Sequence, residues 1–156
     1  MAIDIRGLCP LLQVFDMPAS LRFYREALGF VVVSNSGGGD DSDWVLLSHK
    51  GTELMLNTMY EREARPVHPN PERIASHRDT ILYFGCEDPE AAYEELRSKG
   101  LNVSKPVVQG YGMKQIYVCD PDGYNLCFQW PATEEMRESW RQRYGMSFEA
   151  EAPLET

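Results

Sequence analysis

The sequence predicts an α+β fold: two tandem βαβββ modules with mixed sheets curving round a cavity, plus a C-terminal helix. Three observations carry this. Helix starts recur, with Pro18 and Pro89 standing 71 residues apart, and helix stops recur at the same interval, Gly29 and Gly100. A hairpin glycine recurs as well, Gly51 being matched by Gly123 72 residues later. The strands after those turns then align, Leu54 with Leu126 and Leu56 with Phe128. Start, stop and turn repeating in step mark a duplicated supersecondary unit.

In the first module a strand over 6–14 leads into DMPASLRFYREALGF. Asp16 or Ser20 caps the helix, Pro18 suits its first turn, and Leu21, Tyr24 and Leu28 keep helical spacing. Gly29 ends it, since glycine accepts the left-handed conformation of a helix stop. A strand over 30–34 follows, then the polar loop SNSGGGDDSD, too rich in glycine for a regular element. Strands over 43–49 and 53–58 form a hairpin around HKGT.

The second module repeats the plan. A strand over 79–85 precedes the helix of EDPEAAYEELRSKG, and strands follow at 102–108, 113–119 and 124–130. The modules thus occupy 6–58 and 79–130 of a domain spanning 1–130. The crossover, 59–78, holds three prolines and no clear periodicity, which suits either a lid or binding segment or an exposed connection. Residues 131–156 form a separate C-terminal segment. Thr133 caps an amphipathic helix with Met136, Trp140 and Tyr144 on one stripe, and the final EAEAPLET is expected to fray.

Bulk properties narrow the function classes. The chain has 156 residues, 43% of them hydrophobic, enough for a real core. A formal charge of −9 argues against a nucleic-acid partner, which requires a basic surface. No apolar run approaches about 18 residues and no signal pattern follows Met1, so no membrane partner is expected. The four cysteines, Cys9, Cys86, Cys119 and Cys127, make no CxxC and have no zinc-ligand spacing. Free thiols in a reducing cytoplasm are expected.

Strand alternation separates two faces. Leu54, Leu56, Leu126, Phe128 and Trp130 suit the face under each module's single helix. The opposite parity is read as Cys9, Leu11 and Gln13; Met55 and Asn57; Thr80, Leu82 and Phe84; and Asn125, Cys127 and Gln129. These residues are mixed rather than charged, as in the lining of a ligand cavity, mostly apolar with a few fixed polar groups. Trp44, Tyr111 and Tyr117 supply aromatic walls. A wet interface between the modules is the competing reading of the same face.

Three stretches, LQVFDMPASLRFYREALGF, ILYFGCEDPEAAYEELRSKGLNV and YGMKQIYVCDPDGYNLCFQW, resemble the vicinal oxygen chelate superfamily. That superfamily includes glyoxalase I, extradiol dioxygenases and bleomycin-resistance proteins. The match spans residues 6–130. Metal-dependent members hold a divalent ion with His or Gln and Glu from the first module, and His and Glu from the second. The resemblance puts these four places on Cys9, at or beside Met55, on Thr80 and on Cys127. None of the family ligands is kept. Two thiols, a thioether and a hydroxyl do not suit Mg²⁺, Mn²⁺ or Fe²⁺, which take carboxylate or imidazole. No metal or other cofactor is therefore expected, nor a glyoxalase I or dioxygenase activity. Glu53 is expected to face away as a surface residue. His77 is expected on an exposed loop.

The resemblance then implies the bleomycin-resistance branch: a homodimer that binds a small molecule without metal. The alternative is a metal-independent or displaced-ligand lyase or isomerase of the same superfamily, with His77, Glu53, Tyr117 and Cys127 as its candidate groups.

Overall fold

A computed structural model describes residues 3–144. The elements are β1 (Leu11–Val14), α1 (Met17–Arg22, continued by a π turn over Phe23–Ala27), β2 (Val31–Asn35), β3 (Trp44–His49) and β4 (Thr52–Thr58). They continue with α2 (Pro71–His77), β5 (Ile81–Gly85), α3 (Pro89–Ser98), β6 (Val107–Val108), β7 (Met113–Cys119), β8 (Asn125–Pro131) and α4 (Glu134–Tyr144). Two open four-stranded sheets result, ordered β1-β4-β3-β2 and β5-β8-β7-β6. The second order repeats the first, as the duplication requires. No helix among the described residues is long and apolar enough to cross a membrane.

The repeated sequence signals do the same work twice. Asp16 accepts from the Ala19 amide at 3.3 Å and Asp88 from the Ala91 amide at 2.9 Å, so each helix begins on an aspartate followed by proline. These caps satisfy amides that have no partner within the helix. Two strands are interrupted by proline within their expected spans. β1 begins only after Pro10, which has no N–H to give a ladder, although its carbonyl still accepts from the Met55 amide at 2.8 Å. Over 102–108 only a bridge at Val103 and the pair Val107–Val108 form, on either side of Pro106.

The described residues divide into two compact units, 3–81 with 119–125, and 82–118 with 126–144. The first unit has its core between sheet and α1. Leu12, Val14, Leu21, Tyr24, Val45, Leu47, Leu54 and Leu56 are all buried. Fully burying a leucine contributes roughly 2 kcal/mol. The second unit buries Leu96 of α3 with Ile116, Val118, Leu126 and Trp130. Phe84 and Phe128 stack there with centroids 5.3 Å apart.

The crossover is more regular than its composition suggests. Asn70 caps α2 through the amides of Glu72 and Arg73, and the helix packs on the DPDGY turn inside the first unit. Gly123 shows how closely. It has φ +86°, and a Cβ there would collide with the Ile74 carbonyl of α2. In the C-terminal segment Met136 packs over Gly112 and the Met136 amide donates to Thr133 Oγ1. The side chains of Trp140 and Tyr144, and the expected fraying of EAEAPLET, lie outside the described residues.

Candidate functional site

The DPDGY turn is built from buried polar groups. Asp120 accepts from Tyr24 Oη at 2.9 Å and from the amides of Asp122 and Tyr124 at 3.0 and 2.9 Å. Burial is the main cause that lifts its carboxyl to about 6, against these three donors. Asp122, 2% exposed, accepts from the Phe15 amide, from Ser20 Oγ and from Arg73 Nη1. Arg73 also donates to the Gln13 carbonyl at 2.6 Å. His77 Nδ1 lies 2.7 Å from the Asp122 carbonyl. A carbonyl only accepts, so Nδ1 carries the proton. The imidazole stacks on Tyr124 with centroids 4.0 Å apart at 9°. His77 is thus not a free loop histidine: α2 fixes it against the turn.

On the first unit's sheet, register defines the exposed face. Leu11 pairs with Met55 and Gln13 with Asn57 on one side of β4; Leu46 pairs with Met55 and Trp44 with Asn57 on the other. Leu11, Gln13, Met55 and Asn57 therefore share a face, as alternation predicts, and the register adds Trp44 to it. Asn57 Nδ2 donates to Gln13 Oε1 at 3.3 Å and to the Thr58 carbonyl at 2.9 Å. Glu53 corrects the reading of the sequence. Paired with Ser48, it lies two residues from Met55 on the same face. Its charge, after burial, is the second cause that raises the Cys9 thiol. Thr80 precedes β5 and is exposed, its carbonyl accepting from the Asn125 amide. Asn125 itself donates to the Arg78 carbonyl and accepts from Cys119.

The second unit places its site residues differently from the expected parity. Phe84 stacks on Phe128, which belongs to the helix-side set, so Phe84 and, by alternation, Leu82 do not share the Cys127 face. Tyr83 occupies that face in their place, 52% exposed, and with Cys127 it contacts the Tyr117 hydroxyl. The run TILYF is apolar or β-branched at every position, so nothing in it marks which parity faces inward. Tyr117 Oη donates to Gln115 Oε1 at 2.9 Å, and Gln115 Nε2 donates to Gln129 Oε1 at 2.7 Å. Gln115 was not singled out from the sequence. Its signal was the alternation of Gln115 and Tyr117 with Ile116 and Val118 in MKQIYVC. An open hollow of about 370 Å³ in this unit is lined by Glu90, Tyr93, Glu94, Lys105 and Pro106; none of the expected site residues lines it.

The donor chemistry does not fit a hard divalent cation. Cys127 is wholly buried, and burial pushes its thiol up from the ordinary value, so it is protonated at neutral pH. Such a thiol is a poor nucleophile, and sulfur is a soft donor that hard divalent ions do not favour. The Cys9 thiol is raised as well. Met55 offers only a thioether, and Thr80 or its strand neighbour Ile81 offers a hydroxyl or no donor at all.

Two repeated βαβββ units with helix-backed sheets define the class. The chain belongs to the glyoxalase/bleomycin resistance protein/dioxygenase superfamily, whose family model matches residues 8–128. Among solved structures it is similar to a bleomycin resistance determinant encoded on the transposon Tn5, with 23% identity and a TM-score of 0.62, covering 83% of this chain and 100% of that one. An antibiotic binding protein from a Streptomyces species is 21% identical at TM-score 0.61, covering 83% and 99%. A bleomycin-binding protein complexed with bleomycin is 20% identical at TM-score 0.59, covering 80% and 98%. At these identities the likeness establishes the fold. No curated protein sequence matches the chain.

Proposed function

We propose that the chain is a metal-free small-molecule-binding protein of the glyoxalase/bleomycin-resistance type, acting as a cytoplasmic homodimer. Ligand is held against sheet faces of mixed apolar and amide character. The observation that carries the reading is Cys127: where metal-dependent relatives place a carboxylate, this chain has a buried thiol, a soft donor unsuited to a hard divalent ion. Support comes from proteins of the same fold that bind antibiotics, including one complexed with bleomycin. Cys9, Leu11, Gln13, Trp44, Met55 and Asn57 in the first unit, and Tyr117 and Gln129 in the second, supply apolar walls and amides suited to such a role. Elemental analysis of protein purified without chelator tests the metal-free part. Less than about a tenth of a metal ion per chain is expected, and stoichiometric Ni, Zn, Fe or Mn contradicts it.

A second reading, a displaced-ligand lyase or isomerase, draws on Glu53, which shares a face with Met55. A turnover lost in Glu53→Gln would support it. Unchanged turnover in that variant would remove its one specific motive.

A further inference from the structure

We propose that the Tyr117–Gln115–Gln129 relay makes Gln129 the polar anchor of the second unit's sheet face, selecting a neutral, planar ligand that offers a carbonyl oxygen. The inference rests on the binding reading above and names the ligand class for this face.

Gln115 is only 1% exposed. A buried amide must find partners at both ends. Its oxygen takes the Tyr117 hydroxyl and its nitrogen donates to Gln129 Oε1. The Gln129 carbonyl is thereby used, and its NH₂ is the polar end left toward the partly exposed surface. A group presenting only donors calls for an acceptor.

Charge supports the same class. In the four strands of this sheet the one charged residue is Lys114. It has the opposite parity to Gln115 and Tyr117, and it pairs with Glu90 of α3 on the helix side. No ionic partner on these strands faces a ligand carboxylate or ammonium, and a buried unpaired charge is costly. Burial of Tyr117 and Cys127 raises both groups, so neither ionises at neutral pH. Tyr83 and Tyr117 provide ring surfaces for a flat ligand.

The first unit has no equivalent. Asn57 stands 72 residues before Gln129, at the matching place in the repeat. Its Nδ2 is spent on Gln13 and the Thr58 carbonyl, and Glu53 adds a charge to that face. The preference for a neutral acceptor is therefore a property of the second unit.

Fluorescence titration of the full chain with matched naphthalene probes tests this: N-methyl-1,8-naphthalimide, 1-naphthoate and 1-naphthylmethylammonium. The naphthalimide is expected to bind about tenfold tighter than either ion, the effect of one hydrogen bond to a donor otherwise left unpaired. Gln129→Leu is expected to erase that advantage, and Tyr117→Phe, which keeps the ring, to weaken it several-fold. Equal or tighter binding of either ion overturns the inference and leaves the binding reading standing, as does unchanged naphthalimide affinity in both variants. No binding of any probe overturns the binding reading together with the inference.

Discussion

Arg73 and Asp122 form an ion pair at 3.2 Å with both side chains largely buried. They are 49 residues apart in sequence. Arg73 comes from the crossover helix and Asp122 from the DPDGY turn. The same arginine donates to the Gln13 carbonyl at the end of β1, so one side chain joins three separate segments of the first unit.

Removing Arg73 leaves a buried carboxylate without its counter-ion. Arg73→Met is expected to destabilise the protein by about 3 kcal/mol, read as a lower urea midpoint with an unchanged m-value. Asp122→Asn in the Arg73→Met background is expected to recover part of the loss, because it removes the uncompensated charge.

Asp120 makes stability depend on pH in an unusual direction. Its folded carboxyl titrates at about 6, above the ordinary 3.8. The folded state thus binds the proton more tightly than the unfolded chain. Stability from this group is fully present below pH 3.8 and is lost as pH rises through about 6, a difference on the order of 3 kcal/mol. In Asp120→Asn the side-chain oxygen still accepts from both amides, and its NH₂ faces the Tyr24 hydroxyl oxygen. Chemical denaturation at pH 5 and pH 8 is expected to show the variant gaining on the parent as pH rises. A stability difference between them that stays constant across this range contradicts the assignment.

Gly123 admits no side chain. A Cβ there meets the Ile74 carbonyl on a backbone of positive φ, so Gly123→Ala strains the turn and displaces α2. A loss of roughly 1–3 kcal/mol is expected, with faster hydrogen exchange confined to α2 and 119–125. Uniform exchange change across both units would count against local docking.

The four thiols are expected to react in order of exposure. Cys119 is exposed and Cys127 wholly buried with a raised thiol. Iodoacetamide on native protein should label Cys119 first, with Cys127 labelled only after denaturation. Early labelling of Cys127 would show that its thiol is accessible.

The repeat was legible because its signals are local. Asp16 and Asp88 cap, Pro18 and Pro89 start helices, Gly29 and Gly100 end them, and each is read within a few residues. The Arg73–Asp122 pair was not legible, since no local pattern links a proline-rich crossover to a distant turn. Most of the expected site depended on strand parity. β4 alternates clearly, and Met55 and Asn57 fell where expected. Even there Glu53 was placed on the wrong face, although it shares the parity of Met55. β5 has no alternation to read, and Tyr83 took the place expected for Leu82 and Phe84. Gln115 was hidden for a different reason: a buried glutamine becomes meaningful only when its two partners, Tyr117 and Gln129, are seen together.

A member of this superfamily that binds a small molecule without a metal should be indifferent to chelator. Calorimetric titration with N-methyl-1,8-naphthalimide, before and after exhaustive treatment with chelator, separates metal-free binding from binding through an ion. Saturable binding with the same Kd in both samples is expected, with no metal released by the treatment. Release of one metal ion per chain together with loss of binding would contradict it.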